Sequence, residues 1–167
     1  MKIAICFWGL TRSLKYTIDS IKVNIFERLE KGGIKYDKFL HTYYFEGGYT
    51  NKFANERNIK LDFEEYKLLE PDYLKIDNQD EVKEKINFSD YDYNGKVYNN
   101  RNTRNNAVLG LYSMNEVTKM VEGTEIKYDY IMFIRPDCKF LHKFNVRWFL
   151  LSHGKKVLTP SFGKSRG

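Results

Sequence analysis

Tyr128-Asp129-Tyr130-Ile131-Met132-Phe133-Ile134-Arg135-Pro136-Asp137 is the stretch that decides how this chain folds. Ile131 to Ile134 is apolar without alternation, so both faces of the segment are expected to be covered. That pattern predicts a central strand in a sheet flanked by helices. Pro136 has no N–H to give a ladder and ends the strand. Arg135 and Asp137 then stand just outside a strand's carboxyl end, where open α/β sheets bind ligands. An acid at that position suits a divalent metal or a phosphate-bearing substrate; an ordinary turn aspartate is the competing reading.

The flanking sequence supplies the rest of such a sheet. Lys2 to Phe7 predicts a first strand, closed by Gly9. Leu14, Ile18, Ile21, Ile25 and Leu29 recur every three or four residues and predict a helix from Arg12 to Leu29. Thr11 or Ser13 offers its N-cap, and Gly32-Gly33 stops it. Tyr36 to Phe45 reads as a second strand, which completes a strand–helix–strand unit with a right-handed crossover. Gly47 to Asn51 reads as a loop. Phe63 to Leu69 and Asp80 to Ile86 read as short helical pieces, Tyr73 to Asp77 as a third strand, and Tyr91 to Tyr98 as loop. A longer helix is expected from Thr103 to Glu122, burying Ala107, Val108, Leu111, Met114, Val117 and Val121. After Asp137 come a short extended piece to Leu141, a helix within Phe144 to Leu151, and a strand at Lys156 to Thr159. The class is α/β, with a mostly parallel, twisted sheet flanked by helices.

A length of 167 residues predicts one domain, large enough to bury roughly 70% of its unfolded surface. There is no run of about 18 apolar residues to span a membrane, and the short apolar N-terminus lacks a cleavage site, so it reads as strand rather than signal peptide. Cys6 and Cys138 give no disulfide framework, which predicts free thiols and a cytoplasmic location. The net charge of +6 favours an anionic ligand. It is spread along the chain, with acidic stretches at Asp62 to Glu70 and Asp77 to Glu84. Without a dense basic block or a recognition motif, nucleic acid is not the favoured partner.

Two further segments are candidate sites. Phe7-Trp8-Gly9-Leu10-Thr11-Arg12 joins the first strand to the first helix. A helix N-terminus offers N–H groups and partial positive charge to a phosphate. Gly9 would let the backbone approach a ligand, and Arg12 would pair with it. The three-glycine dinucleotide fingerprint and the P-loop are both absent; Gly163-Lys164-Ser165 lacks the upstream glycine. Asn99-Asn100-Arg101-Asn102-Thr103-Arg104-Asn105-Asn106 leads into the long helix; it would hold a pyrophosphate or sugar, with Arg104 best placed, or is simply a capping turn. His41, His142 and His153 lack zinc spacing. His41 reads as a core or sheet-face residue, and Cys138 as a packing residue.

Taken together, these segments resemble nucleotide-sugar glycosyltransferases of the GT-A type, and most nearly the small glycosyltransferase-like proteins of large DNA viruses and some bacteria. The likeness rests on the opening strand with its Gly9-Leu10-Thr11-Arg12 loop, on the Arg/Asn-rich start of the long helix, and on the Tyr128 to Asp137 strand. It implies a GT-A-like domain over 1–167 with a Rossmann-type nucleotide-binding half, acting in the cytoplasm, that of the host if the chain is viral. It implies transfer of a sugar from a nucleotide-diphosphate sugar to a glycan or protein acceptor. In that family an Asp-x-Asp triplet binds Mn²⁺ or Mg²⁺ bridging the donor phosphates. Here the triplet is Arg135-Pro136-Asp137, so the resemblance assigns the metal to Asp137 alone. It turns Gly9, Leu10, Thr11 and Arg12 toward the nucleotide and Arg104 toward the diphosphate, with Arg135 supplying part of the metal's charge or facing away into an ion pair. The acceptor-side base usually follows that strand, yet no Asp or Glu follows Asp137. Two expectations follow: an acceptor-side segment is missing, or the chain is a non-catalytic nucleotide- or glycan-binding module.

Overall fold

A computed structural model describes residues 1–51, 55–91 and 101–152 of the chain. The elements run β1 (Lys2–Trp8), α1 (Leu14–Ile21), a π-helical turn (Lys22–Phe26), α2 (Glu27–Lys31), β2 (Lys35–Tyr44), β3 (Tyr49–Asn51), β4 (Glu56–Ile59), a 3₁₀ turn (Glu65–Leu69), β5 (Tyr73–Asn78), α3 (Gln79–Lys85), a second 3₁₀ turn (Phe88–Tyr91), α4 (Arg101–Glu122), β6 (Tyr130–Ile134) and α5 (Arg147–Ser152). The expected strand at Lys156 to Thr159, most of the loop at Tyr91 to Tyr98, Asn99, Asn100, His153 and Gly163-Lys164-Ser165 lie outside the described residues.

Four strands form one parallel sheet in the order β5-β2-β1-β6. Alternate residues of β1 feed two cores. Ile3, Ile5 and Phe7 pack on one face against Leu14, Ile18, Ile21, Ile25 and Leu29, the stripe read from the sequence. Ala4 and Cys6 face the other way, with Phe39, against Val117 and Val121 of α4. Helices therefore cover both faces of β1 and β2, the α/β arrangement that the hydrophobic periodicity predicts. Among the described residues, no helix is long and apolar enough to cross a membrane.

Several expectations are overturned. Among the described residues β6 pairs with β1 alone, and its faces are not both covered. Ile131 and Phe133 lie beside Ala4 and Cys6 in register, on the α4 face, but α4 sits over β1 and β2, and the two side chains stay 46% and 41% exposed. In α4, Leu111 is exposed, while Leu109, Ser113 and Glu116 are buried with Val108, Val117 and Val121. The first helix starts at Leu14 and carries the π turn. Ser13 takes its N-cap position without a side-chain bond. Gly33, at φ +68°, helps end the helical run. Tyr49–Asn51 is not loop; it pairs antiparallel with β4. Cys138 is exposed rather than packed.

Candidate functional site

The carboxyl ends of β1 and β6 lie side by side, since Phe7 is in register with Ile134. From there one chain runs through Gly9 into α1 and the other through Pro136 away from the sheet. Each loop is tied down. Gly9 takes φ +90°, a conformation open to glycine, and its N–H donates to Ser113 Oγ of α4 at 2.8 Å. Leu10 packs with Tyr43, Val82 and Leu109. Thr11 is buried, and its carbonyl accepts the Leu14 N–H at 2.9 Å.

On the β6 side, three polar side chains of the first helix stitch the departing chain down. Thr17 Oγ1 donates to the Pro136 carbonyl at 2.5 Å, Ser20 Oγ accepts the Phe140 N–H at 3.0 Å, and Asn24 Nδ2 donates to the Phe140 carbonyl at 2.8 Å. Asn24 lies in the π turn, where the regular helical ladder is interrupted, and its carbonyl takes the Phe144 N–H at 2.8 Å.

These ties bring Arg12, Arg135 and Asp137 together. Arg135 grips Asp137 with two hydrogen bonds, Nε to Oδ1 at 2.9 Å and Nη2 to Oδ2 at 2.6 Å. This carboxylate holds the Arg135 guanidinium above its ordinary pKa. Arg12 reaches across, with Nη2 4.0 Å from Asp137 Oδ2 and Nη1 3.6 Å from Glu56 Oε2 of β4. Two aromatic rings brace the guanidinium groups: Tyr49 lies 4.7 Å from Arg12 and also accepts its hydrogen bond, and Trp8 lies 5.4 Å from Arg135. Such stacking suits the flat, weakly hydrated guanidinium. Glu56 Oε2 is buried without a hydrogen-bond partner.

The first-turn amides of α1 differ from expectation. The Lys15 N–H is taken by the buried Glu65 carboxylate at 3.1 Å, and the Leu14 and Tyr16 N–H groups bond to Thr11 and Ser13 carbonyls. Side chains rather than helix amides therefore carry the positive charge here. Arg104 lies near the start of α4, its Nε donating to Asn105 Oδ1 at 3.1 Å, six residues or about 9 Å along the helix from Gly110, which packs beneath Trp8.

Sequence reading named Arg12, Arg135 and Asp137, quoted Trp8 within the first loop without giving it a role, and missed Tyr49 and Glu56. An aromatic at a strand's end was a usable signal for Trp8; nothing local marks Glu56. Asp137 is the acid that follows β6 directly, and among the described residues no three His, Cys, Asp or Glu side chains form a group able to hold a metal ion. Cys6 is no candidate nucleophile, because burial pushes its thiol up to about 12. Compared with protein-family models, curated proteins and solved structures, the chain matches none of them.

Proposed function

We propose that the chain is a glycosyltransferase that takes a sugar from a nucleotide-diphosphate sugar and passes it to a glycan or protein acceptor in the cytoplasm. The observation that carries this reading is the meeting of Arg12 with the Arg135–Asp137 pair at the carboxyl edge of the sheet. The strand order supports it. Numbered along the chain, the parallel strands run third, second, first, fourth, the order with which a doubly wound nucleotide-binding sheet begins, and the reversal falls between β1 and β6. Two unpaired cysteines are in keeping with a reducing compartment.

The leaving group in such a transfer is a nucleoside diphosphate, and charge developing on its oxygen must be neutralised. Arg12 and Arg135 are placed to do so as fork-shaped donors to phosphate oxygens. Their charges are balanced by Glu56 and Asp137, so a diphosphate entering the cluster would bring uncompensated negative charge. Mn²⁺ or Mg²⁺ fits that balance: Asp137 would hold it with phosphate oxygens and water after yielding one bond to Arg135. A bound dication would act as the Lewis acid that withdraws charge from the leaving phosphate. Gly9 and the backbone of residues 9–12 would border the nucleotide, and Arg104 would approach its phosphates.

The alternative is a non-catalytic nucleotide- or glycan-binding module. It is favoured by one observation: the carboxylates at the site, Asp137 and Glu56, are both engaged by arginines, which leaves neither poised as a general base. Calorimetric titration with UDP, GDP, CDP and dTDP, each with and without Mn²⁺, tests both readings. Metal-dependent binding of one nucleotide, lost in Asp137→Ala, is expected. Donor hydrolysis or transfer then separates enzyme from module. Absence of binding by all four sinks the donor site.

A further inference from the structure

Behind the site lies a buried polar chain that joins three elements. Trp8, His41 and Lys75 are in register across β1, β2 and β5. His41 is fully buried, and so is Ser113, which reaches it from α4. His41 Nδ1 stands 2.7 Å from Ser113 Oγ, and Nε2 stands 3.1 Å from Asp77 Oδ2. Tyr112 O–H donates to the same Asp77 oxygen at 3.0 Å. Lys75 Nζ lies 3.5 Å from it and 2.5 Å from Glu116 Oε2, and Lys119 bonds the other Glu116 oxygen at 2.7 Å. Tyr43 packs edge-on against the imidazole.

The spacing is that of a Ser–His–Asp relay, but no substrate reaches a serine and histidine with no exposed surface. The far end of the chain tells what it serves: Ser113 Oγ is the acceptor of the Gly9 N–H. A serine hydroxyl has one proton and two lone pairs. The ionised Asp77 only accepts, so a neutral His41 keeps its proton on Nε2, donates it to Asp77 and leaves Nδ1 bare. With Gly9 donating to Oγ, the Ser113 proton then has Nδ1 at 2.7 Å as its nearer acceptor and the His41 carbonyl at 3.2 Å as the more distant one. Each proton is used once, and the donors run in one direction from Gly9 to Asp77. Burial holds His41 below its ordinary pKa against the pull of Asp77, in keeping with a neutral ring.

We propose that Ser113 and His41 are positioning residues for the loop 9–12: Asp77 fixes the His41 tautomer, His41 fixes the Ser113 hydroxyl, and Ser113 fixes Gly9 three residues before Arg12. The consequence for ligand affinity rests on the donor-site reading above; the tie to Gly9 does not.

The test is made on the full chain by NMR and calorimetry. Wild type is expected to show His41 as the neutral Nε2–H tautomer at pH 7. In Ser113→Ala the Gly9 amide is expected to exchange with solvent about tenfold faster, the loss of one hydrogen bond, while the Phe7 amide is unchanged. The bare His41 Nδ1 resonance shifts, and the Kd of whichever nucleotide binds rises by a similar factor. Asp77→Asn, at a more exposed position, is expected to alter the His41 tautomer and the Gly9 amide shift even where Ser113→Ala does not fold. An imidazolium or an Nδ1–H tautomer in wild type overturns the relay, and unchanged Gly9 exchange in Ser113→Ala overturns the positioning role. If no nucleotide binds wild type, the donor reading fails while Gly9 exchange still decides this one.

Discussion

Arg135 and Asp137 bind each other fork to fork across Pro136, with both guanidinium–carboxylate bonds under 3 Å, 2.9 and 2.6 Å. Along a strand, side chains two residues apart share a face about 7 Å from each other; here they close a small ring, because the chain turns as the strand ends. The ring presents Arg135 to Trp8 and Asp137 to Arg12.

Arg135→Lys keeps the charge but loses the fork. Arg135 is half exposed, so the change in stability is expected to stay below about 1 kcal/mol. Nucleotide affinity is expected to fall about tenfold, the worth of one charge-assisted hydrogen bond. Paired urea melts and titrations check this, and equal affinity in the two proteins removes Arg135 from the site.

Gly110 lies against the Trp8 ring that supports Arg135; a Cβ built there meets Trp8 Cζ3 at 3.1 Å. Alanine gains up to about 1 kcal/mol of helix propensity over glycine, and a ring shift of a few tenths of an ångström offsets part of it. Gly110→Ala is therefore expected to be within about 1 kcal/mol of wild type, whereas Gly110→Leu overpacks the contact and costs about 1–3 kcal/mol. Trp8 fluorescence reports the displacement, and a Leu variant as stable as wild type with unchanged emission contradicts the contact.

What the sequence makes legible depends on where each signal resides. The stripe Leu14 to Leu29 and the strand starting at Lys2 are local periodicities, and both stand as read. Arg12, Arg135 and Asp137 were singled out because strand ends are local too, and the structure brings the three side chains together. The chain Gly9–Ser113–His41–Asp77 was invisible: its members are 36 to 104 residues apart, and a buried serine in a helix looks like any other. The cover over β6 was misread for a different reason: Ile131 and Phe133 stay exposed. An unalternating apolar run tells what a strand prefers to touch, but whether a neighbour lies beside it is decided elsewhere in the chain.

That misreading has a measurable counterpart. On a covered strand face, Phe133→Lys would bury an unpaired charge and unfold the protein. On the open flank of β6, with Phe133 41% exposed, the cost is expected to be about 1 kcal/mol or less, in line with other surface changes. Among the described residues β6 is the outermost strand and Tyr130–Ile134 carries no charged side chain, so the added charge also guards that side of the sheet. Self-association in sedimentation is expected to fall or stay constant. A loss of cooperative unfolding would return β6 to the interior.

Thr17→Val tests the stitching of the departing chain. The methyl replaces a hydroxyl of similar size, and the Pro136 carbonyl loses its donor beside a buried side chain. The expected cost is about 1–3 kcal/mol, the penalty of an unsatisfied buried acceptor. Thr17→Ser keeps the donor and is expected to recover most of it. Urea midpoints of the two variants distinguish them, and indistinguishable midpoints contradict the bond.

Acid should weaken the fold from a pH set by His41. Burial holds its folded pKa below the ordinary 6.5, so between those two values the unfolded chain binds a proton that the native chain does not. Stability then rises with pH; run in reverse, it declines as pH falls below 6.5, by at most about 1.4 kcal/mol per pH unit for one group. Asp77 and Glu116 act with the same sign lower down. Burial raises both, but hydrogen bonds outweigh it, from His41 and Tyr112 to Asp77 and from Lys119 and Lys75 to Glu116, and leave them below 3.8 and 4.5. Their contribution is complete above those values and is lost beneath them. Urea midpoints are therefore expected to fall gently from pH 6.5 to pH 5 and steeply below pH 4.5. His41→Gln, which has no proton to take up, is expected to flatten the upper slope and leave the lower one. A midpoint that rises as the pH falls from 6.5 to 5 would mean that the buried imidazole is charged in the native state, and with it the proton order from Gly9 to Asp77 would reverse at Ser113.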